Sequence, residues 1–187
     1  MSGAVITAII AVVVIALLIV AALALRPRMR SRKLRDRFGP EYDRTVQNAQ
    51  NRRAAEEELA EREKRHQQLQ LRDLSEDERQ RYTAQWTQVQ EQFIDDPARA
   101  LDAADRLLVN VMADRGYPTE SYRQQVADLS VEHARPLEQY RTAHDIAGRA
   151  GRGEASTEDM RSAIVHYRTL FVDLLNGRHA QHTAHNK

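Results

Sequence analysis

Residues Ala4 to Leu25 form an unbroken run of 22 residues, each Ala, Val, Ile or Leu except Thr7, and none is charged. A helix rises ~1.5 Å per residue, so this run spans ~33 Å against a bilayer hydrocarbon thickness of ~30 Å. Its 14 large aliphatics contribute on the order of −4 to −8 kcal/mol to insertion. Residues 1–25 are therefore expected to form a transmembrane anchor. A cleavable signal peptide is the competing reading, because Ala22, Leu23 and Ala24 make an A-x-A pattern. Against it stand the absence of a basic segment before the run, the run's length, and the dense basic cluster directly after it.

That cluster comprises Arg26, Arg28, Arg30, Arg32, Lys33, Arg35 and Arg37, whereas no Lys or Arg precedes the run. The positive-inside rule then places the C-terminal side in the cytoplasm and the N-terminus outside, a single-pass topology in the cell membrane. At the inner leaflet each basic residue is worth about 1 kcal/mol against anionic lipid. The seven basic residues of segment 26–40 are thus the expected membrane-surface contacts, with anionic inner-leaflet lipid as partner.

The overall balance of 28 basic and 27 acidic residues conceals this polarity. Removing Arg26 to Arg37, which hold seven basic residues and the single acid Asp36, leaves 21 basic against 26 acidic residues, a net charge of −5 from Phe38 onward. Such a body lacks the basic face that nucleic-acid binding needs. There is no cysteine, so disulfides, thiolate catalysis and Cys-based zinc sites are excluded.

Glu41 to Leu69 is rich in Glu, Arg, Gln and Ala without Gly or Pro, which favours helix. Glu58 with Arg62 and Glu61 with Arg65 are i,i+4 pairs in the favourable order. Only Tyr42, Val46, Leu59 and Leu69 are large and apolar, and they keep no heptad. Residues 41–70 are accordingly read as a solvated helical stalk of ~43 Å rather than a coiled coil, with a disordered charged linker as the alternative.

From Leu71 the pattern becomes amphipathic. Ser75 and Glu78 make a capping box, followed by Tyr82, Trp86, Val89 and Phe93 at helical spacing. Asp96 before Pro97 caps a second helix with Leu101, Ala104, Leu107, Leu108, Val111 and Met112 on one face, stopped by Gly116. Ser121 opens a third, with Tyr122, Val126 and Leu129 apolar. A fourth is expected near Arg135-Pro136, burying Leu137, Tyr140, His144 or Ala143, and Ala147, and giving way to a flexible connection at Gly148, Gly151 and Gly153. Ser156 or Thr157 caps the last, with Met160, Ala163, Ile164, Tyr167, Phe171, Leu174 and Leu175 inward and Gly177 at its end. The fold class is all-α: an N-terminal transmembrane helix, a polar helical stalk and a compact helical bundle over 71–177, with a disordered tail over 178–187.

The stretches Arg37-Phe38-Gly39-Pro40-Glu41-Tyr42, Phe93-Ile94-Asp95-Asp96-Pro97, Arg115-Gly116-Tyr117-Pro118, Asp128-Leu129-Ser130-Val131-Glu132-His133, and Ser156-Thr157-Glu158-Asp159 leading into Tyr167-Arg168 carry a resemblance. The chain resembles an uncharacterised family of small bacterial, mostly actinobacterial, single-pass membrane proteins with a helical cytoplasmic domain. The resemblance implies an anchored helical module and no particular reaction.

The titratable candidates for chemistry are His133, His144, Asp145 and His166, with Asp95 and Asp96. Asp96 is explained as a helix cap and Asp95 as its solvated neighbour. His144 falls on the apolar side of its helix and reads as a core histidine. His133 falls in a polar turn, where it is free to meet a ligand, yet no nucleophile or glycine-rich phosphate cradle lies near it in sequence. His179, His182 and His185 repeat every third residue in the tail, which suggests adventitious metal affinity at most. No catalytic, cofactor or metal residues are assigned. The favoured function is a membrane-anchored cytoplasmic binding or scaffolding module that recruits a protein partner to the inner face of the membrane. The alternative is a membrane-tethered hydrolase or metal-dependent enzyme using His133 and its neighbours.

Overall fold

The computed structural model describes residues 29–177 and, ahead of them, Val13 and Ile15, both helical. The rest of the apolar run 4–25, Arg26, Arg28, and the tail with His179, His182 and His185 lie outside the described residues. Among the described residues there is no strand, and the fold class is all-α. Among them, too, no helix is long and apolar enough to cross a membrane. The helices are α1 (29–38), α2 (Pro40–Asn48), α3 (Arg52–His66), α4 (Glu76–Asp95), α5 (Pro97–Asp114), α6 (Tyr122–Glu132), α7 (Ala134–Gly151) and α8 (Thr157–Asn176). The chain divides into two compact units between Leu59 and Ala60.

In the first unit, α1 buries Ser31, Leu34 and Phe38, three positions at helical spacing. Gly39 turns the chain with φ of 48°, a left-handed value that disfavours any side chain, and Pro40 opens α2. Tyr42, Ala55 and Leu59 are also buried here. The continuous helix expected over 41–69 is broken at 49–51, where Ala49 is extended and its N–H bonds to the Thr45 carbonyl. The physical reason is a cap. The Asn51 side chain accepts the Ala54 N–H at 2.9 Å, which starts α3 afresh.

The second unit begins at Ala60, earlier than the boundary expected near Leu71. The end of α3 belongs to it because Arg65 pairs with Asp128 on α6 at 3.2 Å and Arg62 donates to Ser130 at 3.4 Å. The starts of α4, α5, α6 and α8 are locally encoded. Ser75 with Glu78 and Ser156 with Asp159 form reciprocal capping boxes, while Asp96 accepts from the Arg99 N–H and Ser121 from the Gln124 N–H. α4 packs on α5, α5 on α8 and α7, and α7 on α8 and α6. Trp86, Val89, Leu101, Leu108, Met112, Leu129, Leu137, Tyr140, Tyr167, Leu170 and Phe171 lie in the resulting core. The stripes expected on α4, α5 and α8 face inward, with Phe93, Met160, Ile164 and Leu175 half-buried at their edges. α7 runs through Gly148 as far as Gly151, so the connection is shorter than the glycines suggested: Arg152 donates to the Gly148 carbonyl and the turn falls at Gly153, φ 74°.

Candidate functional site

His133 is the point where four segments of the second unit meet. It ends α6, donating its N–H to the Leu129 carbonyl at 2.7 Å, and it stands at the N-terminal boundary of α7. Its Nδ1 lies 2.5 Å from Asp173 Oδ2 on α8, and its Nε2 lies 3.2 Å from the Tyr117 hydroxyl. A carboxylate only accepts, so Nδ1 carries a proton; with the ring neutral, the Tyr117 O–H donates to Nε2. The imidazole is 4% exposed with both nitrogens engaged, and it holds α8 to the α6–α7 junction.

Tyr117 is placed by the turn before it. Gly116 has φ of 90°, and a Cβ there would sit 2.5 Å from the Gln70 carbonyl oxygen, so the residue must be glycine on two counts. Tyr117 lies between His66 and His133, with ring centroids 6.2 Å and 6.1 Å away. His66 in turn lies 3.8 Å from a Glu132 carboxylate oxygen. Arg115, 1% exposed, donates to the Leu174 carbonyl at 2.8 Å, approaches Asp73 at 3.7 Å and stacks over Tyr117. The guanidinium satisfies a carbonyl in the last turn of α8, a group that has no partner within the helix.

The two histidines exchange the environments expected for them. His133, read as a residue of a polar turn, is buried. His144, read as a core residue, keeps a side chain 38% exposed. Its ring stacks on Tyr122 at 3.8 Å, and Nδ1 lies 3.1 Å from Asp105. Ala143, the other candidate at that turn, is buried instead. Asp105 also accepts from the Tyr167 hydroxyl at 2.9 Å, and burial followed by the Asp105 charge pushes the Tyr167 hydroxyl far above the ordinary tyrosine range. Asp145 pairs with Arg149 at 3.4 Å, His166 is half-buried on α8, Asp95 is exposed at the end of α4, and Asp96 caps α5. The structure therefore brings none of these to His133.

The residues that do meet His133, namely Tyr117 and Asp173, lay outside the candidates drawn from sequence. A signal was present for one of them. Asp173 is adjacent to the inward-facing Leu174 on an otherwise well-patterned helix, where an acid at the margin of a stripe often finds a buried partner. A depression of about 230 Å³ elsewhere, lined by Arg81, Tyr82, Gln85, Asn110, Ala113 and Asp114, is smaller than usual ligand pockets of ~300–1,000 Å³. Two of its lining residues are joined, Tyr82 donating to Asp114 at 2.7 Å.

The first unit has its own buried polar centre. Glu56 Oε1 accepts from Ser31 at 2.6 Å, Tyr42 at 2.7 Å and Arg52 at 2.9 Å, so one oxygen ties α1, α2 and α3 together. Burial opposes ionisation of Glu56, but the bonds from Ser31, Tyr42 and Arg52 outweigh it and hold the carboxyl below the usual range. Burial first, then the bond to Glu56, raises the Tyr42 hydroxyl. Of the basic residues expected at a membrane surface, Arg30 donates to the Glu56 carbonyl at 3.3 Å and Arg35 pairs with Asp43 at 3.3 Å. Arg32, Lys33 and Arg37 are exposed on the same helix.

Three short sequence stretches supply residues to these centres and their surroundings. Arg37 to Tyr42 makes the α1–α2 corner, Arg115 to Pro118 delivers Arg115 and Tyr117, and Asp128 to His133 delivers Asp128 and His133. Comparison of the chain with protein-family models, with curated proteins and with solved structures finds no match.

Proposed function

We propose that this protein is a single-pass, membrane-anchored binding or scaffolding module whose helical domain stands on the cytoplasmic face and recruits a protein partner there; the resemblance implies the anchored helical module alone. The observation that carries the reading is how the polar groups of the helical units are spent. Glu56, His133, Arg115 and Asp128 each tie helices together, and none of them faces the depression on α4 and α5. A framework locked in this way presents a fixed outer surface, which is what recognition by helix faces requires.

On that surface Val165 and Val172 are exposed two turns apart on the outer side of α8, and Ile94 is 82% exposed at the end of α4. The apolar run and the basic residues that follow it supply the membrane attachment and its orientation. Alkaline phosphatase fused after Lys187 should be inactive in a bacterial host, and high activity would reverse the topology. Crosslinked membranes carrying the tagged full chain should yield a partner that Val165→Glu with Val172→Glu loses while the chain stays membrane-bound. Retention of every crosslinked species by that variant would remove α8 as the recruiting face.

A further inference from the structure

We infer that α1 carries a headgroup site for anionic phospholipid formed by Arg32, Lys33 and Arg37, and that Arg30 and Arg35 serve the fold instead; the inference rests on the membrane attachment proposed above. Successive side chains on a helix turn by ~100°. Buried Ser31, Leu34 and Phe38 thus define an inner pole of α1. Arg30 and Arg35 flank that pole on opposite sides, and both, though exposed, are engaged within the first unit. Arg30 reaches the Glu56 carbonyl at 3.3 Å, and Arg35 reaches Asp43 at 3.3 Å with its guanidinium 5.0 Å from the centre of the Tyr42 ring.

Met29, Arg32, Lys33, Asp36 and Arg37 lie within ~90° of the outer pole, and all five are exposed. Arg32 and Arg37 have no hydrogen-bond or ion-pair partner among the described residues. The outer face therefore offers two unpaired cations, Arg32 and Arg37, with Lys33 between them in sequence, against the single acid Asp36, beside the exposed thioether of Met29. Arg32 is the seventh residue after Leu25, a reach of at most ~25 Å even fully extended, so this face stays near the end of the apolar run. With a net charge of −5 from Phe38 onward, the remainder of the chain is repelled by an anionic surface. α1 is the element whose charge complements one. Glu56 fixes the rotation of α1 through Ser31, and so decides which arginines face out.

The test uses the full chain purified in mixed micelles of equal phosphatidylcholine and phosphatidylglycerol, and reads the ratio of the two lipids that co-purify. The wild type should enrich phosphatidylglycerol. R32Q and R37Q should each lower the enrichment by about fivefold, the scale of one basic residue at an anionic surface, and the double variant should approach the bulk ratio. D36N should raise it, and R32K with R37K should keep it. R30Q with R35Q should change it by less than about twofold, while lowering amide protection in residues 29–59. No enrichment by the wild type would overturn the site. So would an equal loss in R30Q with R35Q when amide protection is intact. Displacement of the lipid by pyrophosphate would assign the site to free phosphate, and displacement by a short oligonucleotide of matched charge would assign it to nucleic acid; either overturns the lipid assignment. Failure of the attachment itself reads separately, as release of the chain from membranes by alkaline carbonate.

Discussion

The two units are each closed by a buried polar group, but the group works against a different background. In residues 29–59 it is a carboxylate with three donors on one oxygen, among a few buried apolar residues, Leu34, Phe38, Tyr42, Ala55 and Leu59. In residues 60–177 it is an imidazole at the margin of a continuous core from Leu74 to Leu174. A short unit buries too small a fraction of its surface to rely on apolar area, so an ionised hydrogen-bond acceptor must contribute a larger share. The larger unit can lose a polar strut and keep its core. Each unit should therefore be fragile in its own way: the first to charge and pH, the second to lost volume.

The largest expected effect follows from the second half of that statement. Trp86 is buried and stacks on Phe171 with ring centroids 4.8 Å apart. Trp86→Ala should cost about 3–5 kcal/mol in chemical denaturation of the full chain in micelles, the usual loss for a large core aromatic. The indole Nε1 finds no acceptor among the described residues. Trp86→Phe should therefore cost much less, under about 1.5 kcal/mol, because it loses volume but no hydrogen bond. A loss below about 1 kcal/mol for Trp86→Ala would mean that the second unit, too, depends chiefly on its polar ties.

The starts of α4, α5, α6 and α8 and the stop of α8 were legible because each is encoded within four residues. Ser75 needs only Glu78, Asp96 only Pro97 and the Arg99 N–H, and Gly177 only its own positive φ. The core stripes of α4, α5 and α8 were legible because period 3.6 survives in the sequence. What escaped was non-local. Whether His133 is buried depends on Tyr117, 16 residues before it, and Asp173, 40 residues after it, and a turn of polar composition carries no trace of either. His144 sits on an apolar side in the periodicity, yet with Tyr122 on one face of its ring and Asp105 at Nδ1 its side chain keeps 38% of its surface exposed. The break at 49–51 escaped for another reason. Asn51 is an ordinary cap residue, but inside a polar stretch without a stripe there is no change of pattern to mark it.

The polar centres should rank next and should separate by pH. His133→Ala leaves the Tyr117 hydroxyl and Asp173 without their partner and should cost about 1–3 kcal/mol, whereas His144→Ala, losing an exposed stack and one bond, should cost less than about 1 kcal/mol. Glu56→Gln should cost about 1–3 kcal/mol in the first unit, since hydrogen bonds to a charged group are replaced by weaker ones. Its pH signature has a definite sign. A carboxyl whose folded pKa lies below its unfolded value of ~4.3 contributes stability that is complete above that value and lost as pH falls through the folded pKa. Amide protection factors in residues 29–59 should thus decline below about pH 4 in the wild type, and that decline should flatten in Glu56→Gln. An acid response of equal size in the variant would show that another group controls the unit.

Helix caps come below these. Ser156→Ala removes the acceptor for the Asp159 N–H at 3.1 Å and should cost about 1 kcal/mol, with fraying confined to the first turn of α8. Ser75→Ala should behave alike at α4, where the Arg72 side chain and the Ser75 N–H hold Glu78 down to about 2. The capped turn there should therefore be lost only as the pH falls toward about 2. A loss of this turn together with the Glu56 centre in acid would merge the two centres that the comparison keeps apart.

The smallest stability effect belongs to the residues with the largest proposed role at the lipid surface. Arg32 and Arg37 have no partner among the described residues, so Arg32→Gln and Arg37→Gln should each change stability by no more than about 0.5 kcal/mol. Arg30→Gln and Arg35→Gln, a few residues away on the same helix, give up bonds to the Glu56 carbonyl and to Asp43. They should loosen the first unit measurably, as decreased amide protection in α1. Four arginines of nearly identical sequence context thus divide by what each engages: Arg30 and Arg35 bond within the first unit, and Arg32 and Arg37 have no partner among the described residues. Equal destabilisation by all four arginine substitutions would erase that division and return the cluster to an undifferentiated band of charge.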